Sequence, residues 1–171
     1  MERIALAQPK PAYNFSLLNM DNTTLTLDEL KGSLVLLGFI YTNCPDVCGV
    51  ITQHFVYIQK RLKQHIDKDL VLAFITTDPK RDTPARLEAY TKGYEGRWRF
   101  MTGNKSELER VWEEYHVAVV EGEATSGLVY HSFMVALIDS NSMVRYRYIG
   151  VVDPEDVIVR DIENLLLADS R

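Results

Sequence analysis

Cys44 and Cys48 are the only cysteines in the chain. They sit in the stretch Tyr41-Thr42-Asn43-Cys44-Pro45-Asp46-Val47-Cys48, with a proline directly after the first. A disulfide across so short a loop adds little entropic stabilisation, and two cysteines are too few to staple a scaffold. The pair is therefore expected to work chemically, as a redox couple or as ligands for a soft metal. An apolar run over 34–39 leads in and a helix-like pattern over 50–66 leads out. If the helix begins just after Cys44, Cys48 lies about one turn further along the same face. The sulfurs then converge, and the exposed N–H groups and positive end of the helix dipole favour thiolate over thiol.

Two thiolates rarely complete a copper or zinc site, so a third donor must come from elsewhere. The chain has four histidines. His54 falls within the helical pattern, far from its start. His65, among Lys63, Gln64, Asp67 and Lys68, reads as a solvated helix end. His116 follows Glu113, Glu114 and Tyr115 at another helix C-terminus, where a cation is favourable. His131 stands just before the apolar strand 133–138, where a loop enters the sheet. In a thioredoxin-type topology, the start of that strand lies beside the helix N-terminus that carries the cysteines. One imidazole and two thiolates make a trigonal Cu(I) site, or three of the ligands of a Cu(II) or Zn site.

Patterning supplies the frame. Residues 8–13, with Pro9 and Pro11, read as an extended lead-in. Segments 15–18 and 24–27 flank the turn formers 19–22, a hairpin, and Gly32 stops a helical turn over 28–31. The runs 34–40 and 70–75 are continuously apolar, as in central strands covered on both faces. Thr83 or Asp82 caps a helix that starts with Pro84 and ends near Gly93. A short strand follows at 98–101, then a helix with Asn104 and Glu107 in a capping-box pattern. Small strands 117–120 and 127–130 flank a turn at 122–126. Strands 133–138 and 144–149 form a hairpin, and Asp153 with Pro154 opens the last helix.

Strands alternating with helices imply right-handed parallel crossovers, and the terminal hairpin supplies an antiparallel edge. The expected fold is α/β, a thioredoxin-like three-layer sandwich with an N-terminal β-hairpin and a small inserted hairpin. A length of 171 residues fits a single domain, 1–171, in which 1–12 form an extended N-terminal segment.

Composition narrows the partners. The net charge of -5 gives no basic footprint for nucleic acid, and no Gly-rich phosphate loop is present. No apolar run approaches the roughly 20 residues that span a bilayer, and the first dozen residues lack the apolar core of a secretory signal. Any membrane tether is expected to lie in an anchor absent from this sequence.

These motifs resemble the SCO/SenC family of copper chaperones for cytochrome c oxidase assembly. The likeness rests on residues 41–48 (the family's T-x-C-P-x-x-C), on Asp78-Pro79-Lys80-Arg81-Asp82-Thr83-Pro84 (its D-P-x-R-D-T-P), and on His131 leading into 133–139. It covers roughly residues 13–166, in matching order and spacing. The resemblance implies a thioredoxin-like domain that holds copper, as Cu(I), Cu(II) or both, through Cys44, Cys48 and His131. It implies copper delivery to the dinuclear centre of cytochrome c oxidase subunit II, or thiol reduction of that centre's cysteines. Another copper chaperone is the class of donor it suggests. It also implies an extracytoplasmic location, commonly with one N-terminal transmembrane helix. Asp78 matches the family's aspartate near the site and is assigned a supporting role beside the ligands, while Arg81 and Asp82 read as structural. Family members often carry an acidic residue before the histidine; here it is Tyr130.

Four readings compete. The first is a copper metallochaperone, and the second, the enzymatic alternative, is a thiol–disulfide oxidoreductase acting through the same cysteines. The third is a peroxiredoxin-like peroxidase, for which the sequence assigns no arginine near the reactive cysteine. The fourth is a redox-sensing or structural domain. Thioredoxin-like reductases space their cysteines by two residues, whereas three intervene here. Those enzymes also place a proline before the strand that faces the cysteines. This chain has His131 in that neighbourhood, which favours ligation.

Overall fold

The computed structural model describes residues 2–45, 48–122, 129–150 and 155–169. In chain order the first half comprises β1 (Glu2–Pro11), β2 (Ser16–Asn19), β3 (Thr24–Thr26), a 3-10 turn (Asp28–Leu30), β4 (Leu34–Ile40), α1 (Cys48–Arg61) and β5 (Leu70–Thr76). The second half comprises α2 (Pro84–Gly93), β6 (Trp98–Thr102), α3 (Lys105–Glu114), β7 (Val119–Glu121), β8 (Val129–His131), β9 (Met134–Ile138), β10 (Met143–Ile149) and α4 (Glu155–Asp169).

Among the described residues, eight strands form one sheet in the order β1-β10-β9-β4-β5-β6-β2-β3. Every residue of β4 and β5 is buried, which explains their unbroken apolar sequences. They run parallel from Leu34↔Leu70 to Ile40↔Thr76, and β6 continues parallel beyond β5. β9 lies antiparallel on the other side of β4. One core layer joins α1, α2 and α4 to the sheet through Ile51, Phe55, Leu87, Ile158 and Ile162. The opposite layer holds α3 through Leu108, Val111 and Trp112. This is the expected thioredoxin-like three-layer sandwich. β2–β3 is its N-terminal hairpin, and β7–β8, a separate two-stranded sheet, is its small inserted hairpin.

The details depart from the sequence reading in two places. The lead-in forms strand β1, antiparallel to β10, so β1 rather than the terminal hairpin occupies that edge. Pro9 and Pro11 are tolerated because an edge strand has a side without ladder partners, and the register shifts between Ala5 and Lys10. Helix α1 runs over Cys48–Arg61 rather than 50–66. The expected caps at Thr83 and Asn104 are present, the latter as a full capping box. The Asp153–Pro154 helix start, Asp46, Val47, and the 123–128 part of the inserted turn and strand lie outside the described residues. No described helix is long and apolar enough to cross a membrane.

Gly38 sets how closely α1 approaches the sheet. A Cβ there would meet the Phe74 ring at 2.8 Å and Phe55 at 3.2 Å. Without one, the Phe55 and Phe74 rings pack at a 4.1 Å centroid separation beneath α1. The helix that begins with Cys48 is thereby seated directly over β4 and β5.

Candidate functional site

The site forms where β4 ends. Both cysteines are thiols here, Cys44 half-buried and Cys48 buried. Cys48 is the first described residue of α1, and Cys44 lies in the loop after β4. The expected bias toward thiolate does not hold for Cys48. Its thiol is pushed up, first by hydrogen bonding with the Cys44 side chain and then by burial, with the nearby Asp82 charge adding to both. Burial and negative neighbours outweigh the helix end because both oppose a second anion in a low-dielectric position.

His131, the last residue of β8, comes from 83 positions away to place its Nε2 at 3.5 Å from Cys48 Sγ. Its Nδ1 lies 3.2 Å from the Ser132 carbonyl. A carbonyl only accepts, so Nδ1 carries the proton and Nε2 presents its lone pair to the sulfur. Burial lowers the imidazole pKa from its ordinary value, which keeps the ring neutral at neutral pH. Tyr41 meets the ring edge-on at 5.8 Å between centroids, and Phe133 does so at 4.9 Å. The Tyr41 hydroxyl, pushed up to about 12 chiefly by burial, accepts the Val129 N–H of the same hairpin strand at 3.4 Å. One tyrosine thus links the cysteine loop to the strand bearing His131.

The acid beneath the cysteine loop is Asp82. Its carboxylate is wholly buried and accepts the Thr42 hydroxyl at 2.5 Å, the Thr42 N–H at 3.1 Å and the Thr76 hydroxyl at 2.6 Å. Arg86 of α2 donates to Thr42 Oγ1 at 2.7 Å and to Asn43 Oδ1 at 3.4 Å. Asp78 is also buried, but it pairs with Arg81. The sequence reading gave the supporting role to Asp78 and took Asp82 as structural. In the structure, Asp82 is the residue that grips the loop two positions before Cys44. Arg86 was not singled out at all, although its place just after the D-P-x-R-D-T-P motif was a usable signal. Tyr130 is 61% exposed and pairs with Val120 on the outer face of the hairpin, opposite the face of Val119 and His131.

The other histidines are elsewhere. His54 is buried with Nδ1 at 2.6 Å from Glu155 across α1 and α4, and His65 pairs with Asp69 at 3.0 Å. His116 adopts a positive φ of 58° at the end of α3. No three His, Cys, Asp or Glu side chains among the described residues form a ready-made metal cluster. The described residues offer instead a chain of contacts from Cys44 to Cys48 to His131. The 3.5 Å Cys48–His131 contact is a thiol–imidazole hydrogen bond that sets one sulfur and one nitrogen side by side, where with Cys44 they would hold a soft metal. Two thiols and a neutral imidazole with its lone pair turned inward are a soft donor set suited to copper.

The strand order and the meeting of two thiols with a histidine at the end of β4 define a thioredoxin-like domain with a thiol–imidazole site. The SCO1/SenC family profile matches residues 6–167, and the chain belongs to that family. It is 32% identical over 149 residues to a SCO2-like protein of Rickettsia felis, covering 85% of this chain and 72% of that one. Copper-bound ScoI of Arabidopsis thaliana superposes with a TM-score of 0.79 at 28% identity, over 90% of this chain and 98% of that chain. BsSco, described as a cytochrome c oxidase assembly protein with a disulfide switch, gives a TM-score of 0.78 at 28% identity, covering 95% and 96%.

Proposed function

We propose that this protein is a copper metallochaperone that carries copper on Cys44, Cys48 and His131 for assembly of cytochrome c oxidase. The observation that carries the reading is the 3.5 Å approach of His131 Nε2 to Cys48 Sγ. An imidazole with its lone pair on a buried thiol can serve that thiol as a base, and with the two sulfurs it also completes a three-donor soft site. Likeness to a copper-bound ScoI and to BsSco supports the cargo and the process.

In this reading copper is cargo, taken as Cu(I), Cu(II) or both. The dinuclear centre of oxidase subunit II is the destination, another copper chaperone is the donor, and the domain works on the extracytoplasmic side. Ligation requires both thiols to lose their protons. The raised Cys48 thiol means that metal, not solvent, must drive that loss. Asp82 and Arg86 hold the cysteine loop still, Tyr41 and Phe133 hold the imidazole, and Asp78 supports the neighbouring loop.

A second reading is favoured by the hydrogen-bonded thiol pair itself. Half-exposed Cys44 could attack a partner disulfide, with Cys48 resolving the mixed disulfide so that the partner leaves as two thiols. The same disulfide abolishes the metal site, so redox state would gate copper binding.

Titration of the reduced protein with Cu(I), beside His131→Ala, separates the readings. About one tightly held Cu(I) is expected for wild type, and at least a tenfold weakening in the variant with the fold intact. Unchanged affinity would remove His131 from the site. Thiol reduction of a subunit II peptide that survives in His131→Ala, but not in either Cys→Ser variant, would favour the exchange reading.

A further inference from the structure

The hairpin β7–β8 carries His131 but belongs to no larger sheet. A two-stranded ribbon with three residues per strand is marginal by itself, so its ties to the body decide where His131 stands. Its register, Val119↔His131 and Glu121↔Val129, puts Val119, Glu121, Val129 and His131 on one face. That face is turned to the body, since the other face bears Val120 and Tyr130, each 61% exposed. Contact is not continuous beneath it. A cleft of about 500 Å3, lined by Asp78, Trp112, Val119 and Val129 among others, separates the hairpin from the β5–α2 loop and α3.

Glu121 spans that cleft. Its carboxylate takes Lys80 of the β5–α2 loop at 2.7 Å and Lys105 of α3 at 3.0 Å. Among the described residues it is the hairpin's one ionic tie, and it sits at the end of the ladder opposite His131. The two lysines hold the carboxyl down at about 2, so the tie stays charged throughout the neutral range. Exposed ion pairs are individually weak and salt-screened, and a tie of this kind can open.

We propose that Glu121 is a positioning residue, a latch that pins the β7–β8 hairpin and so keeps His131 against Cys48. This rests on His131 serving as a copper donor. The latch makes that donor detachable: closed, the site has two sulfurs and one nitrogen; open, it keeps the thiols alone. Such a step suits a protein that must both hold its cargo and release it.

The test begins on the metal-free, reduced protein, by amide hydrogen exchange across 119–121 and 129–131 at low and high salt. Glu121→Gln should speed exchange in the hairpin about threefold, as expected for loss of a weak ionic tie, and should lose the salt dependence shown by wild type. Cu(I) release to an excess of competing chelator should quicken by the same factor, because release passes through the open hairpin while the open fraction stays too small to move the affinity. A charge-swapped triple variant, Glu121→Lys with Lys80→Glu and Lys105→Glu, should restore both readouts, which loss of a merely structural residue would not allow. Equal exchange and equal salt dependence in wild type and Glu121→Gln would overturn the latch. Faster exchange with an unchanged rate of Cu(I) release, in a protein that His131→Ala does weaken, would overturn its control of His131. If wild type binds no Cu(I), the copper reading falls, and the exchange comparison still decides the latch.

Discussion

The carboxylate of Asp82 and the backbone and hydroxyl of Thr42 form a buried junction, at 3.1 Å and 2.5 Å, between the loop after β5 and the loop that carries Cys44. Thr76 completes it at 2.6 Å. Deleting the acid leaves the half-buried N–H and hydroxyl of Thr42 and the buried hydroxyl of Thr76 without their acceptor; a buried orphan costs about 1–3 kcal/mol, and the half-buried groups regain part of that from water. Asp82→Ala should therefore lower the unfolding free energy by roughly 2–4 kcal/mol, read as a shift in the urea midpoint. It should also loosen Cys44, seen as faster alkylation of that thiol. A midpoint equal to wild type would show that the junction contributes nothing.

Asp82 also makes a prediction about pH. Burial raises its carboxyl above the ordinary 3.8, although the bonds from Thr42 and Thr76 pull the other way. At a pH just above 3.8 the unfolded chain has released this proton while the folded protein still holds it. The folded state then binds more protons, so stability from this group falls as pH rises through that window and levels off once the folded carboxyl ionises. Asp82→Asn cannot titrate. The stability of wild type relative to Asp82→Asn should decline between pH 4 and the raised folded value, and be flat above it. Denaturation midpoints at intervals from pH 4 to 7 measure this, and a difference independent of pH would refute it.

The frame of this site was readable because its signals are local. Unbroken apolar runs gave β4 and β5, and Thr83-Pro84 and Asn104 with Glu107 gave helix starts. Cys44, Cys48 and His131 could be named from residue type, position in the topology and family resemblance. The roles of the acids could not. Asp78 and Asp82 stand in one motif, and only the fold shows that Asp82 reaches Thr42 while Asp78 turns to Arg81. The thiolate expectation at Cys48 failed for a similar reason, because burial and the Cys44 contact are tertiary facts. Nor did an ion tie between Glu121 and lysines 16 and 41 positions away have any periodic signature.

Gly38 predicts a cost for a single methyl group. A Cβ at 2.8 Å from the Phe74 ring cannot be accommodated without moving Phe74 or lifting α1. Overpacking of this kind costs about 1–3 kcal/mol. Gly38→Ala should lower the melting temperature and, by displacing the helix that begins at Cys48, weaken Cu(I) binding as well. Gly38→Ala with Phe74→Leu should recover part of both losses. If the double variant is no better than the single one, the clash with Phe74 is not the cause.

Tyr41 separates two ways of holding His131. Its hydroxyl accepts the Val129 N–H at 3.4 Å, and its ring stands edge-on to the imidazole. Tyr41→Phe keeps the ring and removes the acceptor, so it should cost about 0.5–1.5 kcal/mol of stability, the net worth of one hydrogen bond. Cu(I) affinity should change little, because the imidazole keeps its aromatic neighbours and its Nδ1 partner at Ser132. Tyr41→Leu removes the ring contact too and should weaken Cu(I) several-fold, with stability near that of the Phe variant plus the lost packing. If the two variants bind Cu(I) equally well, the ring does not orient His131. The hairpin's hydrogen bonds and its ion tie would then be what hold the imidazole at Cys48.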